Sequence, residues 1–386
     1  MIICCGEALI DMARVQVRGF GEVFAPFPGG SPYNTAIAVA KLGVPAKFLG
    51  RLSTDYFGEI LFQRLKKNRV GLELVNRSGQ NSTLAFVKPE KAKDPQYIFY
   101  AESSADRSLQ TSDLPPKLPA DTKCIQFGSI SMTMDPIASA IESLILREGT
   151  RKSTDQMDGA PVISFDPNIR PFMIKDRALY IEKFEKWIAA STIAKISFED
   201  FGFIYPKMDP EKALQKVLSM GPWLAICTMG AKGALAMLRR NDGSVIKASA
   251  PGIPIKLKDT IGAGDTFHGA FLSWLEMKGK MSRSALAGMS EADLYNALLF
   301  ANKAAAIVCS RAGAEPPTRK EVDSLKTPGI KAAAKAKPPA AKKPAVKKTP
   351  VIKTADKRAN AKKVVSKKVP SNRALKRAVK KPAKRK

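Results

Sequence analysis

The chain has 386 residues, 45% of them hydrophobic, which is enough for one large or two ordinary domains with a buried core. Its only histidine, His268, excludes zinc sites built from several histidines and proton relays that need two. Five cysteines without metal or disulfide-framework spacing indicate a reducing compartment. No apolar run is long enough to span a bilayer. We therefore expect a soluble, cytoplasmic protein without a membrane segment.

The net charge of +29 is concentrated at the C-terminal end. Residues 331–386 hold 22 Lys or Arg and one acidic residue, whereas the first 330 residues hold 42 basic and 34 acidic groups. This Lys/Ala/Pro-rich composition predicts a disordered basic tail over residues 327–386. The tail either binds nucleic acid or another polyanion without sequence preference, or is a solvated extension.

Short apolar runs alternate with helical patterns along residues 1–326. The strand candidates are residues 2–5, 46–49, 124–127, 162–165, 193–197 and 224–228. Helical patterns include residues 34–42 and 181–190. This alternation predicts an α/β domain with a mostly parallel central sheet flanked by helices, and ligands beyond the carboxyl ends of the strands.

One segment does not follow the alternation. Residues 83–89 and 96–102 are β-rich runs joined by a polar turn, which predicts a hairpin over about 83–102. It could be an edge extension of the sheet or a lid over the site. Asp106 and Arg107 follow directly.

Polar or glycine-rich clusters follow several predicted strands. They are residues 6–11, 166–170, 199–200, 228–233 and 259–265. Each alone could be ordinary turn chemistry, but together on one edge of a sheet they indicate a site. Gly29, Gly30 and Asn34 precede a small-residue helix, where glycines allow close approach and an amide both donates to and accepts from sugar hydroxyls. The alternative is a glycine turn with an Asn near a helix start.

The most informative stretch is the glycine loop, Gly262-Ala263-Gly264, which leads into a helical pattern. Backbone N–H groups at such a helix start form a site for phosphate. The carboxylate of Asp265 would repel phosphate, which is unfavourable if the loop serves only to bind phosphate. It is well placed if Asp265 is the base that deprotonates an attacking hydroxyl. The alternative is that Asp265 or Thr266 caps the helix.

Two common nucleotide-binding motifs are absent from the sequence. No G-x-x-x-x-G-K-[ST] occurs, so a P-loop is not supported, and no G-x-G-x-x-G follows the first strand, so a dinucleotide fold is not supported.

Over about residues 1–326 the sequence resembles the ribokinase-like (PfkB-type) carbohydrate kinases. Two separate signatures, which follow each other along the chain in the order found in the family, carry the resemblance: Gly29-Gly30…Asn34…Ala40-Lys41-Leu42-Gly43, and Asp259-Thr260…Gly262-Ala263-Gly264-Asp265-Thr266-Phe267. It implies a kinase that uses ATP and Mg²⁺, with a large α/β domain and a small β lid.

The resemblance implies a role for each matching residue. Asp265 corresponds to the catalytic base, and Gly262, Ala263 and Gly264 correspond to the anion hole. The implied sugar-binding residues are Asp11, Gly29, Gly30, Asn34, Asp106, Arg107, Asn168 and Arg170. The implied nucleotide-binding residues are Thr228, Gly230, Gly233, Thr260 and Asn302.

The chain departs from the family near the metal. Many relatives have Asn-x-x-Glu where this chain has Ser197-Phe198-Glu199-Asp200, so either Glu199 or Asp200 could shape the water shell of Mg²⁺. Some members bind a monovalent cation near the residue that corresponds to Asp259, and the sequence leaves this open.

Within the family, residues 6–11, 105–107 and 166–170 most resemble fructokinases. The leading hypothesis is phosphorylation of D-fructose at its 6-hydroxyl, with ribose and 2-keto-3-deoxygluconate as alternatives. A hypothesis from another class is a nucleic-acid-associated protein in which the kinase domain is only a scaffold. The sequence does not fix the oligomeric state, and a homodimer stays open.

The tail yields a first prediction. The full chain should retard duplex DNA without sequence preference, because a Lys-rich segment contacts phosphates but cannot read bases. With about six phosphate contacts, the affinity should fall roughly a thousandfold between 50 and 200 mM salt. Gel-shift titrations of the full chain and of a chain lacking residues 331–386 check this. Equal binding by both chains, or binding that ignores salt, would contradict it.

Overall fold

The computed structural model describes residues 1–88, 96–149 and 159–326. The predicted tail, residues 327–386, and the turn of the predicted hairpin lie outside the described residues. Within the described ranges, no helix combines the length and apolar character needed to cross a bilayer.

The larger sheet has nine strands in the order β13-β12-β11-β10-β9-β8-β1-β4-β5. Its strands are β1 (Ile2–Cys5), β4 (Ala46–Ser53), β5 (Val75–Ser78), β8 (Cys124–Gly128), β9 (Val162–Asp166), β10 (Ile193–Ser197), β11 (Leu224–Thr228), β12 (Ala234–Arg239) and β13 (Val245–Ala250). The seven strands from β11 to β5 are parallel, and β12 and β13 are antiparallel. The predicted mostly parallel sheet is confirmed, and all six predicted strands are present.

A second sheet has four strands in the order β3-β2-β6-β7. They are β2 (Leu9–Val17), β3 (Gly21–Gly29), β6 (Leu84–Lys88) and β7 (Gln96–Tyr100). β6 and β7 are antiparallel, which confirms the predicted hairpin, and β6 pairs in parallel with β2. The hairpin is thus half of a larger sheet, and its other half, β2–β3, was missed in the sequence.

Helices cover both faces of the larger sheet. They are α1 (Ser31–Lys41), α2 (Tyr56–Lys67), α3 (Ile137–Gly149), α4 (Arg177–Ala189), α5 (Phe198–Ile204), α6 (Pro210–Met220), α7 (Ala263–Met277), α8 (Arg283–Ala287), α9 (Glu291–Cys309) and α10 (Arg319–Ser324). One apolar core contains α1, α7 and α9, and the other contains α3, α4 and α6. Alternate residues of β1 enter different cores, Ile2 the first and Ile3 the second. This explains why the strand is apolar throughout.

Gly128 lets two neighbouring parallel strands end side by side at the carboxyl edge of the sheet. Its φ is +145°, and a Cβ there would lie 1.7 Å from the carbonyl oxygen of Asp166 on β9. A side chain at Gly128 would therefore push the ends of β8 and β9 apart.

We predict that Gly128→Ala lowers the free energy of unfolding by about 3 kcal/mol, the upper end of the range for mutations that force backbone strain or overpacking. Gly243, in the turn between β12 and β13, is the matched control. It also has a positive φ, +80°, but no atom lies within 4 Å of a Cβ built on it. Gly243→Ala should cost about 1 kcal/mol, the penalty for a left-handed residue. Chemical denaturation measures both, and equal losses would contradict the predicted collision.

Candidate active site

The glycine loop leads directly into α7, as the sequence predicted. Gly262 lies at the helix start in the left-handed region, with φ 73°, and a Cβ there would lie 2.7 Å from the Cβ of Ala314. The helix begins at Ala263, so Asp265 stands in its first turn. The first amides of α7 have no helical acceptors, and the positive end of the helix dipole lies at the same place.

Asp265 is buried, and its carboxylate does not cap the helix. The N-terminus of α7 has no side-chain cap hydrogen bond, so the capping alternative for Asp265 and Thr266 is wrong. Instead Ser31 Oγ donates to Asp265 Oδ1 at 2.6 Å, and Asn34 Nδ2 donates to Oδ2 at 2.9 Å. Both donors lie on α1, more than 200 residues away in sequence.

Burial raises the pKa of Asp265 above its usual range, and the nearby Asp166 charge raises it further. The hydrogen bonds from Ser31 and Asn34 and the charge of Lys195 oppose that rise in pKa. Asp265 is therefore a better proton acceptor than an exposed aspartate, provided that these donors keep it ionised near neutral pH.

A cavity of ≈ 290 Å³ opens above Asp265 between the glycine loop, α1 and the second sheet. It is lined by Glu7, Leu9, Asp11, Gly30, Ser31, Asn34, Phe99, Ser129, Ile130, Asn168, Arg170, Thr260, Ile261, Gly262, Ala263, Gly264 and Asp265. Ten of the residues predicted as site residues are in this lining. Gly29 on β3 lies beside the lining and not in it. A Cβ at this position would collide with the carboxylate of Asp11, so glycine leaves room for that side chain. The second sheet contributes Leu9, Asp11 and Phe99, which fits the lid interpretation.

Two side chains of opposite charge, Asp11 and Arg170, line this cavity and interact electrostatically. Burial raises the pKa of Asp11 to about 6, and the charge of Arg170 opposes this, while Asp265 adds to it. The Arg170 guanidinium is anchored on the backbone and side chain of Asn168, whose φ of +37° is left-handed. The Asp166–Arg170 segment therefore presents a fixed cation to the polar wall of the cavity.

Asp106 and Arg107 do not line the cavity. The buried carboxylate of Asp106 accepts hydrogen bonds from Thr83 Oγ1 at 2.6 Å and Ser104 Oγ at 2.9 Å. Arg107 donates to the carbonyl oxygen of Ala101. In this structure both residues hold the base of the second sheet, because their partners lie just before β6 and just after β7.

Glu7 was not predicted as a site residue, yet it lines the cavity and links the start of α1 to the segment after β8. Its carboxylate accepts from the backbone N–H of Ser31 at 3.0 Å and from the backbone N–H and hydroxyl of Ser131. Burial raises the pKa of Glu7 to about 7. Glu7 thereby fixes the start of α1, and with it Ser31, beside Asp265. The sequence signals were its place in the polar cluster directly after β1 and in the fructokinase-like segment 6–11.

A family model described as pfkB family carbohydrate kinase matches residues 1–321. The chain belongs to this family. Fructokinase of Rhizobium leguminosarum bv. trifolii is 36% identical over 77% of this chain and 86% of that protein. Probable fructokinase-5 of Arabidopsis thaliana is 32% identical over 84% of this chain and 96% of that protein. The crystal structure of a fructokinase with bound ATP from Xylella fastidiosa superposes with a TM-score of 0.74 at 25% identity, covering 84% and 97% of the two chains.

The residues of this carbohydrate kinase predicted to bind nucleotide lie mostly at the ends of β11 and β13. Thr228 ends β11, and Gly230 and Gly233 shape the tight loop to β12 with φ of 55° and 94°. A Cβ at Gly233 would lie 2.1 Å from the carbonyl oxygen of Ala250, so only glycine fits. Asn302 on α9 donates to the carbonyl oxygens of Ala250 and Pro251, which holds the end of β13. Of this predicted group, only Thr260 lines the cavity.

The predicted metal-side carboxylates follow β10. Asp200 is buried and accepts from the backbone N–H of Ile169 at 2.8 Å and of Ser197 at 3.2 Å, whereas Glu199 is exposed. Asp259 accepts from the backbone N–H groups of Ile261 and Gly313, so it links the glycine loop to the segment after α9. In the part of the chain that the structure describes, no three Asp, Glu, His or Cys residues are grouped as direct metal ligands.

The surroundings of Asp265 give a prediction for the kinase. Asp265→Ala should lower turnover by about 10²-fold or more, the scale of a lost general base. The matched control is Asp293→Ala, which also removes a carboxylate from the first turn of a helix. Asp293 Oδ2 accepts a hydrogen bond from Ser290 N at the start of α9. Steady-state kinetics with thermal unfolding should show a fully active control and a folded but impaired Asp265 variant. Near-normal turnover of the Asp265 variant would contradict its assignment as the base.

Proposed function

We propose that this carbohydrate kinase transfers the γ-phosphate of ATP to the 6-hydroxyl of D-fructose. The observation that carries the proposal is the buried Asp265 carboxylate, held by Ser31 and Asn34 at the floor of a polar cavity and beside the amides of the glycine loop. The two fructokinase relatives cover most of the chain, which supports this choice of sugar.

In the proposed reaction the hydroxyl oxygen of the sugar attacks the γ-phosphorus, its proton passes to Asp265, and ADP leaves. Such a transfer needs alignment and charge neutralisation more than covalent catalysis. The amides of Gly262, Ala263 and Gly264 provide fixed donors for the phosphoryl oxygens. The sheet that carries Asp11 and Phe99 would exclude water from the cavity and so limit the waste of ATP.

The residues after β10 fit Mg²⁺ held through water. Both Asp200 oxygens already accept a backbone N–H, but each keeps a lone pair that a metal-bound water could use. The exposed Glu199 is the second carboxylate on this turn. Bound Mg²⁺ would neutralise charge on the phosphates. A monovalent cation near Asp259 stays a proposal by family resemblance alone.

ATP is proposed to lie along the carboxyl edge of β11, from Thr228, Gly230 and Gly233 to Thr260. Asn302, which holds the end of β13, would shape the adenine side indirectly through Ala250 and Pro251. This arrangement directs the γ-phosphate toward the glycine loop and the sugar toward Asp11, Gly30, Asn34, Asn168 and Arg170.

We further propose that residues 1–326 form the catalytic domain and that residues 327–386 are an accessory polyanion-binding tail. The tail carries none of the residues assigned to chemistry, so its removal should leave kinase activity nearly unchanged. A cytoplasmic location is proposed because all five cysteines are free, four of them buried. A homodimer stays a prediction that sedimentation analysis of the purified chain would test.

The sugar specificity gives a prediction. Fructose should have a higher kcat/KM than ribose or 2-keto-3-deoxygluconate, because Asp11, Asn168 and Arg170 form a polar wall that matches the fructokinase-like segments. ADP release measured over a panel of sugars with ATP checks this. A specificity constant for ribose well above that for fructose would assign the enzyme to the alternative. No phosphorylation of any sugar would support the scaffold hypothesis.

A further inference from the structure

Beneath the glycine loop lies a buried ion pair that the proposed reaction does not yet use. Lys195 on β10 donates from Nζ to Asp166 Oδ2 at 2.7 Å, and the two side chains are 4% and 1% exposed. Among the residues that the structure describes, Lys195 is the one lysine or arginine in the buried set. It lies on a strand of the central sheet, where apolar residues are the rule.

The Lys195 ammonium lies directly against the loop that would receive phosphate. A Cβ built on Gly264 would lie 3.3 Å from Lys195 Nζ, so the ammonium occupies the space that a side chain at this position would need. Any larger residue at Gly264 would compete with Lys195 for this space. The position of the loop amides is therefore coupled to the position of the ammonium.

Three buried carboxylates act electrostatically on this one cation, and one of them, Asp166, is in contact with it. Burial opposes the charged form of Lys195, but the charges of Asp166, Asp200 and Asp265 together raise its pKa, so it stays protonated. Asp166 Oδ2 also lies 3.7 Å from His268 Nδ1, and burial lowers the pKa of His268 to about 4. The histidine is thus neutral and hydrogen-bonded to Ser164 at 2.7 Å, and it adds no second positive charge.

Stability alone does not explain such a pair. Burying both charges costs several kcal/mol of solvation, and apolar replacements of buried ion pairs are often neutral or stabilising. The place of the Lys195 ammonium, beside Gly264 and near Asp265, indicates a use. A fixed cation at this place acts on both the glycine loop and the proposed base.

We propose that Lys195 is a positioning residue for phosphoryl transfer, whose ammonium, oriented by Asp166, holds the glycine loop in place and keeps Asp265 ionised. The inference rests on the proposed kinase function. Lys195 does not line the cavity, so it acts through Gly264 and Asp265 and does not touch the sugar. Moving the loop amides by even 1 Å would misalign the transfer, at a cost of about 10²-fold.

The first test removes the charge. Lys195→Met should lower kcat about 10- to 100-fold with little change in the KM for sugar, because the polar wall is untouched. Arg51→Met is the matched control, since Arg51 forms a partly buried ion pair with Asp113 away from the cavity. The control should lose some stability but keep its kcat.

The second readout is the acid limb of kcat/KM. The groups that face Asp265 are Ser31 and Asn34 on α1, Asp11 on β2, Asp166 on β9 and Lys195 on β10. Without the Lys195 charge the ionised form of Asp265 is less favoured, so the pKa of Asp265 rises. The midpoint of the acid limb of kcat/KM should therefore move up by about one pH unit. Lys195→Arg keeps the charge and should leave the acid limb near that of the unmodified chain.

The double variant Lys195→Met/Asp166→Asn separates positioning from stability, with Asp166→Asn alone as its reference. It removes both charges, so folding should recover even if Lys195→Met alone is unstable. The acid limb should return toward normal, since Asp166 raises the pKa of Asp265. Yet kcat should stay low, because no ammonium supports Gly264.

Recovery of kcat together with stability in the double variant, or an unmoved acid limb in a folded Lys195→Met variant, would overturn the proposal. Either result would leave the kinase function intact, because the unmodified chain would still phosphorylate sugar. Failure of the unmodified chain on every sugar would instead overturn the proposed function on which this inference depends.

Discussion

The close packing of two helix N-termini is the constraint on which the site depends. Gly269 on α7 lies against α1, where a Cβ would be 2.9 Å from the Cβ of Ala38 and 3.0 Å from the carbonyl oxygen of Thr35. This approach brings Ser31 and Asn34 within hydrogen-bonding distance of Asp265. A larger side chain at Gly269 would separate the helices and leave the buried carboxylate without donors.

The same packing places two positive helix ends at one cavity. α1 begins after Gly30 and α7 after Gly262, and both glycines have positive φ. A Cβ at Gly30 would lie 2.5 Å from the carbonyl oxygen of Glu7, so the start of α1 is pressed against the end of β1. Two helix dipoles and the Lys195 ammonium therefore offset part of the cost of burying the ionised Asp265 carboxylate. This balance is what the proposed role of Asp265 as the base requires in an enclosed site.

Much of this arrangement follows from local sequence signals. Strand patterns and the polar clusters after them predicted the parallel sheet and its active edge, because parallel strands all end on the same side. The second sheet was only half predicted. β3 contains two prolines and two glycines within Gly21–Gly29, a composition that indicates turns more than a strand. β2 pairs both with β3 and with β6, a long-range pairing that no local pattern specifies.

The sequence by itself determined the fold class, the family, the glycine loop and the presence of an aspartate at the start of α7. It did so because backbone geometry depends on neighbours in the chain: glycines permit positive φ, and apolar spacing sets strands and helices. Only the tertiary structure decided that Asp265 is held by α1 and does not cap its own helix. It likewise placed Asp106 at the base of the second sheet and Lys195 beneath Gly264. These contacts join residues far apart in sequence, so their partners were fixed by the packing of whole elements and not by local spacing.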